Sequence, residues 1–124
     1  MTATTRSTIF ALSTAPGRAG VAVIRVSGPH AGMVLNVMAP KRPKVRTAAF
    51  RKILHPTTGA LLDQGLVIWF PEPRSFTGED VVEFHLHGSV AVVRAVLAGL
   101  ALIPQCRQAE PGEFARRAFD NGKI

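Results

Sequence analysis

The stretch Asp80-Val81-Val82-Glu83-Phe84-His85-Leu86-His87 decides how this chain folds. Val82, Phe84 and Leu86 alternate with Glu83, His85 and His87, a period of two that sets three apolar side chains on one strand face and three ionisable ones on the other. Such a strand lies in a sheet with one face packed on a core and the other polar. Downstream, Ser89 is placed to cap a helix in which Val93, Val96, Leu97 and Leu100 follow helical spacing and which Pro104 ends. After a connection over Gln105 to Ala109, Pro111-Gly112-Glu113 opens a last short helix. It carries Glu113 in its first turn and Arg116 and Arg117 in its last, and Asn121-Gly122 terminates it.

Upstream, a loop over Pro71 to Thr77 follows two runs, Ala48 to Leu54 and Gly65 to Phe70, that read as a hairpin joined through His55-Pro56-Thr57-Thr58-Gly59-Ala60. Thr8 to Leu12 and Val21 to Val26 read as strands around the glycine-rich turn Thr14-Ala15-Pro16-Gly17-Arg18-Ala19-Gly20. Ser27-Gly28-Pro29 then opens a helix that Pro40 stops. Strands and helices mix without strict β-α-β alternation, which predicts an α+β domain with a single mixed sheet and about three helices. Val21 to Val26 and Gly65 to Phe70 are apolar on both faces, so one sheet face is expected to need more cover than three short helices supply.

The chain has 124 residues, 47% of them hydrophobic and 19% charged, which excludes a disordered tail. Its net charge of +7 is unevenly spread: residues 1–62 hold nine Lys or Arg and no acid, and the remainder six against eight acids. That asymmetry fits binding to an anion, either nucleic acid or a polycarboxylate ligand. Lys41-Arg42-Pro43-Lys44 reads as a solvated basic connection, because no aromatic residue is interleaved with it. The longest apolar stretch, Val90 to Ile103, is too short to span a bilayer and contains Arg94, so no membrane association is expected. The lone Cys106 is expected to be a buried, inert thiol, and a reducing cytoplasmic location follows as the default.

Several chemistries find no support. Pro16-Gly17-Arg18-Ala19-Gly20 precedes a strand, and Asn121-Gly122-Lys123 lacks the Ser or Thr of a P-loop, so both read as tight turns rather than phosphate cradles. His85-x-His87 with Glu83 is short of the ligands a metal needs; a polar-lined pocket or interface is the better reading. His30 and His55 sit at turn-like positions and are expected to face solvent. No Gly-x-Ser-x-Gly elbow is present, and no catalytic residue is assigned.

Four stretches together resemble the tRNA-modification GTPases known as MnmE or TrmE: Ala15 through Gly28, Phe70 through Glu83, His87-Gly88, and Glu110-Pro111-Gly112-Glu113-Phe114 with Arg117-Ala118-Phe119 and Asn121-Gly122-Lys123. Ala19, Ser89-Val90 and Asp120 depart from the family's usual residues without touching a ligand position. The resemblance implies that 1–124 is the amino-terminal domain of a longer protein, related to tetrahydrofolate-binding aminomethyltransferase domains, with the helical and G domains lying outside it. It implies a folate site holding a 5-formyl- or 5,10-methylene-tetrahydrofolate type of ligand as one-carbon donor, and a homodimer. It also implies a flavin-dependent partner, MnmG or GidA, and modification of the wobble uridine of tRNA. GTP, magnesium and potassium would belong to the missing G domain.

Three residues carry over as folate contacts: Arg25 in Ile24-Arg25-Val26-Ser27-Gly28, Glu83 at the end of the Phe70 stretch, and Lys123. A pterin edge offers adjacent donors that one carboxylate accepts in bidentate fashion, which suits Glu83; the two cations suit carbonyl or glutamate oxygens. The alternative from another class is a basic RNA-binding module without a folate site.

Overall fold

The computed structural model describes residues 6–14 and 20–124. The expected turn at 15–19 therefore lies outside the described residues. Six strands, β1 (Thr8–Leu12), β2 (Val21–Ser27), β3 (Ala49–Leu54), β4 (Leu61–Phe70), β5 (Val81–His87) and β6 (Cys106–Gln108), form one sheet in the order β3-β4-β5-β2-β1-β6. All neighbours run antiparallel except β1 and β6, which are parallel. The helices are α1 (Ala31–Met38), α2 (Val90–Ala101) and α3 (Glu113–Asp120). The α+β class with one mixed sheet and three helices is as the sequence predicts.

The alternation in β5 is obeyed. Val82, Phe84 and Leu86 are buried, and they join Ile24, Val26, Val67 and Trp69 against Val34, Leu35 and Met38 of α1 and Val96 and Leu100 of α2. Cross-strand register places Arg25 opposite Glu83 and Val23 opposite His85, so Val21, Val23, Arg25, Glu83, His85 and Leu66 share the second face. One end of that face is closed by the loop before β5 and by α3; Val21 and Leu66 remain exposed.

The structure corrects the predicted elements at four places. β6 stands where the sequence predicts a connection; its three residues are too few to show a period, and what makes them a strand is pairing to distant β1, with Thr8 N–H donating to the Gln105 carbonyl and Ala109 N–H to that of Phe10. β4 begins at Leu61, not Gly65, because Asp63 and Gln64 continue the ladder with β3 despite their polarity. Helix α1 starts at Ala31: the Ser27 hydroxyl that was to open it is committed instead to Thr77 and Glu79, and the Thr8 hydroxyl accepts from His30 N–H. Neither His30 nor His55 is free in solvent. His55 Nδ1 accepts from the Thr57 and Thr58 amides, and His30 Nδ1 is buried without a partner.

Ser89 caps α2 as predicted, accepting from Val92 N–H at 3.1 Å. Cys106 is buried, and burial pushes its thiol up. Gly65 lies close against β5: a Cβ there would collide with the His85 carbonyl oxygen. Backbone cannot give way as a side-chain tip can, so Gly65→Ala is expected to destabilise the domain by about 2 kcal/mol or more, read as a lower urea midpoint at unchanged slope.

Candidate functional site

Cross-strand neighbours on a sheet face lie close enough to interact directly, and β2 and β5 use that proximity for a charge pair. The Arg25 guanidinium donates twice to one Glu83 oxygen, at 3.2 Å from Nε and 3.0 Å from Nη2. The other Glu83 oxygen lies 3.0 Å from His85 Nε2. Both groups are mostly shielded from water, so the carboxylate is fixed in orientation with lone pairs left over. His87, the third member of the polar face, turns away: its ring and its N–H both bond Asp63. Burial tends to raise the Asp63 carboxyl, but these bonds outweigh it and hold the group below its ordinary value. The polar face thus divides into a Glu83 cluster and a separate His87–Asp63 pair. Among the described residues no group of three or more His, Cys, Asp and Glu is arranged to hold a metal.

Beside Glu83 lies a cavity of about 490 Å³ lined by Arg46, Phe70, Arg74, Ser75, Phe76, Val81, Glu83 and Lys123. Of the three residues singled out from the sequence, Glu83 and Lys123 line it. Arg25 stands one layer behind, paired to Glu83 and 5.3 Å from the centre of the Phe76 ring. The structure therefore brings all three together. It also adds Arg46, Arg74, Phe70 and Phe76, which sequence reasoning did not select. Six residues of this lining, Phe70, Arg74, Ser75, Phe76, Val81 and Glu83, belong to the Phe70–Glu83 stretch that carried the family resemblance, so a signal for them was present. Arg46 had none; it arrives through an extended segment in which Val45 bridges Trp69, and its guanidinium stacks 5.4 Å from the Phe70 ring.

Lys123 is far from Glu83 in sequence and is delivered by two devices. The Glu79 carboxylate is buried and binds the Arg117 guanidinium at 3.2 Å and 3.3 Å, with the Ser27 hydroxyl at 2.8 Å. Arg117 also donates to the Ser7 carbonyl and to Glu113, and Glu113 receives Arg107 through two bonds of 2.9 Å and 2.6 Å. This chain of charges pins α3 on the loop before β5 and on β1. At the other end of α3, Asn121 donates to the Thr77 carbonyl at 2.9 Å, and Gly78, with φ 82°, leaves room for it: a Cβ there would meet Asn121 Cβ at 2.8 Å. The Lys123 amide then closes onto the Ala118 carbonyl, and its side chain passes over Gly78 into the cavity. None of the Glu79–Arg117 network was visible in the sequence, where Glu79 sits in a polar loop.

The fold and cavity define a small α+β domain that sets a cross-strand Arg–Glu pair beside the end of α3. The chain belongs to the family described as GTP-binding protein TrmE N-terminus, which matches residues 8–123. It is 54% identical over 120 residues to the mitochondrial 5-taurinomethyluridine-tRNA synthase subunit GTPB3 of Homo sapiens, covering 95% of this chain and 24% of that protein. It is likewise 54% identical over 118 residues to the tRNA modification GTPase MnmE of Parvibaculum lavamentivorans, covering 94% of this chain and 27% of that protein. The chain spans about a quarter of the length of these curated relatives. Among the described residues no helix is long and apolar enough to cross a membrane.

The charge network gives the site's scaffold a defined acid response. The hydrogen bonds from Arg107 lower the Glu113 carboxyl from 4.5 to about 2, outweighing its partial burial. Its stabilising contribution is complete above the unfolded value and is lost as pH falls through the folded one, a window from about pH 5 to about pH 2. Arg107 is half-exposed and solvent screens the pair, so the loss is on the order of 1–2 kcal/mol. Stability measured by urea titration at a series of pH values is expected to fall less steeply across that window in Glu113→Gln than in the unchanged protein.

Proposed function

We propose that this chain is the folate-binding and dimer-forming part of a longer tRNA-modification GTPase. In this reading the cavity holds a reduced folate, of the 5-formyl- or 5,10-methylene-tetrahydrofolate type, as the source of a one-carbon unit. The whole protein acts with a flavin-dependent partner, MnmG or GidA, on the wobble uridine of tRNA. GTP, with its magnesium and potassium, is the business of a separate G domain.

The observation that carries the reading is the Arg25-braced carboxylate of Glu83 at the edge of a cavity walled by two phenylalanine rings and three cations. A pterin is a flat heterocycle with adjacent N–H and amino donors, and its tail ends in carboxylates. Glu83 has unused lone pairs for the donors, and Phe70 and Phe76 offer apolar walls for the ring. Arg46, Arg74 and Lys123 supply positive charge for the tail. Arg25 is assigned a positioning role: rather than meeting the ligand first, it fixes the direction of the Glu83 carboxylate with two hydrogen bonds. The volume falls within the range of ordinary small-molecule sites.

Calorimetric titration with 5-formyl-tetrahydrofolate tests this. Glu83→Gln keeps the side chain's size but turns one acceptor into a donor, so affinity is expected to fall by about 1.5–3 kcal/mol, the worth of a charge-assisted hydrogen bond. Unchanged affinity in a folded variant would remove Glu83 from the site. Gly78→Ala, which touches no ligand in this reading, is expected to weaken binding as well by displacing Asn121 and Lys123.

Dimerisation rests on the second sheet face, where Val21 and Leu66 are 53% and 43% exposed on either side of His85. A two-fold pair would cover that surface with the same patch from each chain. Light scattering during size exclusion is expected to give twice the chain mass, with a concentration-dependent shift to one chain in Leu66→Lys. A mass of one chain for the unchanged protein at all micromolar concentrations would end the dimer reading.

A further inference from the structure

The edge of the sheet at β3 adjoins the folate cavity, shares Arg46 with its lining, and carries charge that is not neutralised within the fold. Six Lys or Arg, at positions 41, 42, 44, 46, 51 and 52, occupy twelve residues without an acid. The fold gathers them in β3 and the segment that leads into it. Val45 bridges Trp69 and Arg46 N–H donates to the Trp69 carbonyl, so this segment continues the sheet edge beyond the end of β3. Arg51 Nε donates to the Lys41 carbonyl at 2.8 Å, tying the segment to the strand. Arg42 is held over the Trp69 ring at 4.7 Å, with a bond to Asn36.

All eight acids of the chain lie among the described residues, beginning at Asp63, and none approaches this edge as an ion-pair partner. The seven ion pairs of the described residues all lie elsewhere. Every guanidinium bond made here goes to a neutral oxygen. The sequence pointed to a bare solvated loop because no aromatic residue is interleaved with the lysines. The structure supplies one from the neighbouring strand: Phe50, 62% exposed, shares a groove of about 450 Å³ with Lys41, Arg51 and Lys52.

We propose that this edge is a binding surface for the sugar-phosphate backbone of RNA. A stretch of single-sign charge with no carboxylate at its rim complements a polyphosphate. Three of the six cations are lysines, which are depleted in the cores of protein–protein interfaces but serve phosphate contacts well, so an acidic protein partner fits less well. Blunting the sheet edge against aggregation would take one lysine, such as Lys52, and does not account for Lys41 and Lys44. The contacts described are to backbone, so binding is strong in salt dependence and weak in sequence preference. The surface does not depend on the folate reading; where that reading holds, the RNA is tRNA.

The test compares two double charge reversals of equal net charge in the 124-residue chain. Lys44→Glu with Lys52→Glu alters the edge at two exposed lysines that hold no ion pair; Arg94→Glu with Arg116→Glu alters exposed positions on α2 and α3. Binding of fluorescently labelled tRNA is followed by anisotropy over a salt series. The edge pair is expected to weaken binding about tenfold or more and to flatten the slope of log K against log salt by about 2, one for each phosphate contact removed. The α2/α3 pair is expected to stay within about twofold of the unchanged chain, since its cations make no phosphate contact. Equal losses in both variants would mean that only net charge matters and would overturn the proposal. So would displacement of the tRNA by polyglutamate as effective as by unlabelled tRNA, which would mark the edge as a surface for acidic proteins. Calorimetry with 5-formyl-tetrahydrofolate on the edge variant separates the two readings: folate affinity is expected to be unchanged whether or not RNA binding is lost.

Discussion

Glu79 carries a carboxylate into the interior, where Arg117 meets it, and the placement of the carboxy-terminal segment follows from that meeting. A buried charge without a partner is expensive, and breaking such a pair by removing one member typically costs about 3–5 kcal/mol. The geometry here satisfies the remaining valences as well: Ser27 donates to the carboxylate, and Arg117 reaches the Ser7 carbonyl and Glu113. Loop, first strand and last helix are therefore fastened at one point. Lys123 arrives beside Glu83 because the end of α3 is fixed twice, by Arg117 in its last turn and by Asn121 just beyond it.

The two faces of the sheet carry different duties, and one alternation rule creates both. The face bearing Phe84, Val82 and Leu86 is closed by α1 and α2 as a packed core. The opposite face carries Arg25 and Glu83 at the same register position, so a charge pair sits in the middle of a surface whose far end is covered by α3 and whose near end stays open at Val21 and Leu66. Site and open apolar surface are consequently neighbours. A small domain with three helices has too little material to cover both faces, and the uncovered part is where ligand and partner surfaces are available.

How much of this was legible in the sequence depended on the range of the interactions involved. β5, α2 and its Ser89 cap were readable because period and capping are local. Glu83 and Lys123 were found through family resemblance, and the structure places both on the same cavity. β6 escaped because three residues with no apolar alternation become a strand only when β1 is beside them. The helix start at Ala31 was misplaced because Ser27, a good cap by composition, is drawn away by Thr77 and Glu79, about fifty residues on. His30 looked solvent-facing because the groups that bury its Nδ1 are not evident in the sequence, whereas the His55 ring is engaged locally, by the amides of Thr57 and Thr58. Arg46 and Phe50 gained their significance only from the edge that β3 and β4 build.

The parallel pairing of β1 with β6 joins the beginning of the described chain to residues near its end. A ribosome releases the chain in the opposite order of convenience: Thr8 to Leu12 emerges well ahead of its outer neighbour, Cys106 to Gln108. Arg117, which clasps Ser7, follows later still. Contacts of such long separation form slowly, and until they do β1 presents an unpaired flank. During synthesis the nascent domain is thus a sheet lacking its sixth strand and its last helix, and the pocket containing Lys123 comes into being only when nearly the whole chain is free to move.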